Sequence, residues 1–94
     1  MTTKWYPVAE IELDECFSYI AERSSINTAT RWKNKVIKSL KTLETFPKAG
    51  RKVSKYRRWQ AHKNYYVIYE TYNEFVYITH FRHSKRKPLK YKAK

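Results

Sequence analysis

Two helical periods and then a run of alternating strands organise the hydrophobic positions of this chain. From Val8 onward Ala9, Leu13, Cys16, Phe17 and Ile20 recur at three- and four-residue spacing, the signature of an amphipathic helix. Ser24-Ser25-Ile26-Asn27 interrupts that pattern and supplies capping residues for a second helix. Its stripe is Ala29, Trp32, Val36, Leu40 and Leu43, with Arg31, Lys33, Lys35, Lys38 and Lys41 on other faces. A short loop between them predicts an antiparallel helix pair covering the chain's own sheet. Ahead of the pair, residues 2–7 read as a short edge strand stopped by Pro7. Behind it, Phe46-Pro47-Lys48-Ala49-Gly50-Arg51 ends the second helix, and the lone glycine, Gly50, marks an expected positive φ.

After a loop over Lys52–Tyr56 and a short strand over Arg57–Ala61, the pattern changes to β-branched and aromatic residues. Two runs, Asn64–Thr71 and Glu74–Phe81, face each other across a two-residue Tyr72-Asn73 link and predict a hairpin. Simple alternation puts Val76, Ile78 and His80 on one face, and Phe75, Tyr77 and Phe81 on the other. A hairpin apolar on both faces belongs mid-sheet with helices on at least one side. The predicted order is β-α-α-β-β-β, an α+β fold: a helical hairpin packed on a small, mainly antiparallel sheet.

Composition narrows the function. The chain has 94 residues, enough for one small domain over 1–94 with a basic tail from about residue 88. Cys16 is the single cysteine, which excludes an internal disulfide and a Cys-based metal cage within one chain, and it falls on the apolar stripe as a core residue. Neither a membrane-length apolar run nor a signal-peptide h-region is visible, and the expected location is a reducing cytoplasm. Charge changes the picture most: 21 Lys and Arg stand against 8 Asp and Glu, a formal net charge of +13. Residues 1–22 carry five acids (Glu10, Glu12, Asp14, Glu15 and Glu22) against Lys4, whereas residues 47–94 carry fourteen bases against Glu70 and Glu74. That asymmetry predicts an anionic partner such as nucleic acid, a ribosome or an acidic protein.

The densest candidate chemistry lies where the last strand runs out, at His80-Phe81-Arg82-His83-Ser84-Lys85-Arg86. An imidazole exchanges protons near neutral pH and a guanidinium grips two phosphate oxygens. His80 reads equally as a half-buried structural histidine, whereas His83 reads as exposed. His62, in a turn, carries no signal, and His62, His80 and His83 lack the spacing of a zinc site. The acids of the first helix read as partners of its dipole, and Glu10 and Glu12 diverge around the axis too far to form a catalytic pair. Tyr65, Tyr66, Tyr69, Tyr77 and Trp59 read as sheet packing rather than base-stacking platforms.

Taken in order, Phe46-Pro47-x-x-Gly50-Arg51, Arg57, Tyr65-x-x-Ile68-Tyr69 and Ile78-x-His80-x-Arg82 resemble the ParE/RelE toxin superfamily of bacterial type II toxin–antitoxin pairs, over roughly residues 5–87. The resemblance implies two helices on a small antiparallel sheet, an antitoxin that wraps the toxin, and no cofactor or metal. Its RelE-like branch comprises ribosome-dependent mRNA endonucleases, for which Arg57, His80, Arg82, His83 and Tyr91 are suitable catalytic types. Its ParE-like branch poisons DNA gyrase by protein–protein contact. RelE-type toxins usually carry Arg where this chain has Tyr66, and one of their paired basic positions corresponds to Trp59. The balance therefore favours a ParE-like toxin, with Lys52, Lys55, Arg58, Lys85 and Arg86 as target-binding residues. A RelE-like nuclease and a non-catalytic nucleic-acid binder are the alternatives.

Overall fold

The computed structural model describes residues 1–85, so Arg86, Tyr91 and the basic tail expected from about residue 88 lie outside the described residues. The chain runs β1 (Thr2–Trp5), α1 (Pro7–Arg23), α2 (Ile26–Thr45), β2 (Arg51–Val53), β3 (Tyr56–His62), β4 (Tyr65–Tyr72) and β5 (Phe75–His83). The strands form one sheet in the order β1-β5-β4-β3-β2. β1 runs parallel to β5, and the other pairings are antiparallel. The hairpin β4–β5 occupies the middle of the sheet, as its two-sided apolar pattern requires.

Pro7 opens α1 at its first position, where a missing N–H costs nothing. Ser25 caps α2, its hydroxyl accepting from the Thr28 N–H at 3.0 Å. The stripe of α2 buries as the spacing predicts: Ala29, Trp32, Val36, Leu40 and Leu43 are all in the core. Together with Ala9 and Leu13 of α1 they pack on Ala61, Tyr65, Val67, Tyr69, Val76, Ile78 and Phe81. Each fully buried Val, Leu, Ile or Phe side chain among them contributes about 1.5–3 kcal/mol. Cys16, Phe17 and Ile20 flank this cluster half-buried.

Three local expectations are corrected. The hairpin turn falls at Asn73-Glu74, one residue later than the predicted link, with φ of 47° and 67°. Positive φ at both central residues matches the right-handed twist of the strands it joins. Residues 52–56 are not simply loop: Arg51–Val53 pair with Tyr56–Arg58 around a turn at Ser54, whose φ is 58°. Gly50 does not have a positive φ. Its lack of a side chain serves a close approach instead, since a Cβ there would lie 2.6 Å from the Tyr69 hydroxyl and 2.8 Å from the Arg58 carbonyl oxygen.

Tyr69 is fully buried and makes that approach useful. Its hydroxyl accepts from the Gly50 N–H at 3.0 Å and donates to the Pro47 carbonyl at 2.7 Å. Burial pushes its pKa up, opposed by the Gly50 hydrogen bond and by Arg57. Arg57 donates to the carbonyls of Gly50 at 2.9 Å and Lys48 at 3.4 Å. The Phe-Pro-x-x-Gly-Arg segment is thus tied to the sheet from both sides.

The fourth correction bears on the site. Ile68 pairs with His80 but Tyr69 pairs with Ile78, so Thr79 is an extra residue in β5, a β-bulge. The bulge resets the alternation: Phe81, not His80, joins Val76 and Ile78 under the helices. The hydroxyl of Thr79 donates to the Ile68 carbonyl at 3.0 Å and holds the irregularity in place.

Candidate functional site: the open edge of the last strand

β1 is shorter than β5. Its last rung is the Tyr6 N–H to the Ile78 carbonyl at 2.9 Å, after which the chain turns into α1. Among the described residues, no strand pairs with that edge of β5 beyond Ile78, and a buried edge must find partners. Glu12, on the second turn of α1, supplies them. Its Oε1 accepts from the Phe81 N–H at 3.1 Å and from His80 Nδ1 at 3.2 Å, and its Oε2 accepts from Arg82 Nη1 at 3.4 Å. Nδ1 of His80 must carry a proton to make that bond. The Glu12 side chain is 10% exposed, Arg82 14% and His80 33%, so the carboxylate is enclosed while the imidazole meets solvent.

His83 belongs to the helix side of β5. Its ring stands edge-on to Tyr65 at 4.9 Å, and its Nδ1 accepts from the Lys85 N–H at 3.0 Å. It opens on a cleft of about 600 Å³ lined by Glu12, Glu15, Cys16, Tyr19, Tyr65, His83 and Lys85. Burial raises the pKa of Tyr65, helped by the neighbouring Cys16 and Tyr19. On the opposite face of the sheet, the Arg58 guanidinium lies 3.8 Å over the ring of Tyr66, which is buried.

The candidate catalytic residues divide accordingly. His80 and Arg82 converge on Glu12, His83 is adjacent but on the other face, and Arg57 serves a separate loop clamp. Of the candidate target-binding residues, Lys52, Lys55 and Lys85 are exposed, and Arg58 is half-buried in its stack. Among the described residues, no three His, Cys, Asp or Glu side chains are grouped to hold a metal ion. No described helix is long and apolar enough to cross a membrane.

Glu12 is the residue that the dipole reading of α1 misplaced: only Glu10 sits in the first turn. The signal was present. Glu12 falls between Ala9 and Cys16 on the helix's own apolar stripe, and an acid on such a stripe has to meet a buried donor.

Residues 3–88 match the family model of the ParE toxin of type II toxin–antitoxin systems (parDE). The chain belongs to the ParE toxin family. As a member of that family it is the toxin component of a two-protein system, which implies an antitoxin partner. A solved structure described as the chromosomal ParDE system of P. aeruginosa is similar in fold, with a TM-score of 0.79 and 17% sequence identity, covering 90% of this ParE-family chain and 97% of that one. No curated protein sequence matches it significantly.

Proposed function

We propose that this ParE-family toxin acts in the cytoplasm and arrests growth by binding an essential DNA-processing enzyme such as DNA gyrase, rather than by cutting RNA. The observation that carries this reading is the engagement of His80 and Arg82 by Glu12. A metal-free nuclease needs cations free to meet the charge that develops on the phosphorane. Here a carboxylate already occupies the imidazole and the guanidinium, and backbone carbonyls occupy Arg57. A buried Tyr66 stands where RelE-type toxins usually place a further cation. Under this reading the exposed Lys52, Lys55 and Lys85, with Arg58, contribute to a protein-binding surface, and the antitoxin masks it.

The test is a pair of assays on the purified chain. Inhibition of gyrase supercoiling without cleavage of mRNA on programmed ribosomes supports the proposal. Cleavage in the ribosomal A site that disappears in Arg82→Ala and His83→Ala overturns it in favour of the RelE-like reading. The net charge of +13 is the observation that favours that second reading, because an RNA-rich target rewards it.

A further inference from the structure

Tyr65 is 8% exposed, yet its hydroxyl has no hydrogen-bond partner among the described residues. The ring is held by Trp32 edge-on at 5.0 Å, by Phe81 stacked at 5.5 Å and by His83 edge-on at 4.9 Å. A phenol oxygen lies on the axis of its ring, so flipping the ring does not carry it to a partner elsewhere. Unlike the Trp32 indole nitrogen, that oxygen is not sealed from water. Cys16 and Tyr19, whose charges reach the phenol, line the 600 Å³ cleft with it, so the hydroxyl stands at the cleft wall. His83 lines the same cleft, and its Nδ1 accepts from the Lys85 N–H, which leaves the neutral ring's proton on Nε2. No described residue accepts from that Nε2, and it too is open to water.

A volume of about 600 Å³ falls in the usual range of small-molecule sites, which are apolar clefts with a few placed polar groups. Here the wall carries the rings of Tyr19, Tyr65 and His83 and the polarizable thiol of Cys16, a surface suited to a flat aromatic guest. Two unpartnered donors on such a wall, the Tyr65 O–H and the His83 Nε2–H, call for an acceptor. Charge sets the remaining requirement. Glu12 and Glu15 line the cleft and repel an anion, whereas the net charge of +13 opposes a cation. From this geometry we infer that the cleft is a binding site for a small neutral aromatic molecule bearing a carbonyl oxygen. Its ring packs against Tyr65, Tyr19 and Cys16, and its oxygen accepts from the Tyr65 hydroxyl and His83 Nε2. Such a guest leaves the hydrogen bonds of Glu12 to Phe81, His80 and Arg82 in place. The site does not depend on which macromolecule the toxin attacks.

The test is an NMR titration of the isotopically labelled full chain with benzamide, and separately with benzoate and benzylamine, at neutral pH and constant ionic strength. The ring signals of Tyr65 and His83 are followed, assigned through Tyr65→Phe and His83→Gln. Benzamide is expected to shift both saturably with a Kd of about 1 mM, and the two charged analogues to bind at least about fivefold more weakly. Tyr65→Phe removes a hydroxyl that bonds nothing in the fold. It is expected to keep or raise the Tm while weakening benzamide about fivefold. No saturable shift with benzamide overturns the site, and so does binding of benzoate or benzylamine as tight as that of benzamide. A Tm several degrees lower in Tyr65→Phe overturns it as well, because the hydroxyl would then have a partner within the fold. Unchanged benzamide affinity in that variant has the same force.

Discussion

Removing the carboxylate of Glu12 takes one acceptor from three donors at once: the Phe81 N–H, His80 Nδ1 and Arg82 Nη1. Breaking an enclosed charge pair from one side is costly, and Glu12→Ala is expected to lower the unfolding free energy by about 3 kcal/mol in urea denaturation. Glu12→Gln keeps an acceptor for the Phe81 N–H and is expected to lose less. Tyr69→Phe deletes both of that hydroxyl's hydrogen bonds while preserving the ring, at a cost of roughly 1–3 kcal/mol measured the same way. His62 gives a pH dependence with a definite sign. Its folded pKa lies below the ordinary imidazole value of about 6.5, so between the two values the unfolded chain binds more protons and stability is lost as pH falls. The urea midpoint is expected to drop as pH is taken below about 6.5, and to drop less in His62→Gln. At this scale the sequence was least legible. Glu12 and Tyr69 take their roles from partners 69 and 19–22 residues away, which periodicity along one element does not reveal.

Elements were far more legible, because each rests on a local rule. The α2 stripe from Ala29 to Leu43 is a 3.6-residue pattern with a Ser cap ahead of it, and it folds as written. Both strands of the central hairpin follow from their β-branched and aromatic content. The turn between them was misplaced by one residue because Glu74 is a poor marker of positive φ, a region that glycine and asparagine enter with less strain. Glu74→Gly is therefore expected to stabilise the hairpin by roughly 1 kcal/mol, seen as a higher Tm at unchanged fold. His80 was assigned to the wrong face for a different reason: a period of two cannot register one inserted residue, and Thr79 is such an insertion.

For the molecule as a whole, the order of elements and the excess of positive charge were both legible, and family membership agrees with the resemblance drawn from the spaced motifs. The target was not, because a binding surface is assembled from residues that no short motif connects. Lys52 and Lys55 test that surface at the tip of the β2–β3 hairpin, where both side chains are exposed. Reversing both to Glu is expected to leave stability within about 0.5 kcal/mol and to slow association with gyrase about tenfold at low salt, measured by surface binding kinetics. Thr79 has a consequence at this scale too. It uncouples how the last strand is seated from where its outgoing tip points. Drawing the extra position into regular pairing, with every residue kept, would leave Val76 and Ile78 in their sockets while swinging the histidine and arginine to the reverse side. A toxin lineage could thus re-aim its basic tip without rebuilding the scaffold behind it.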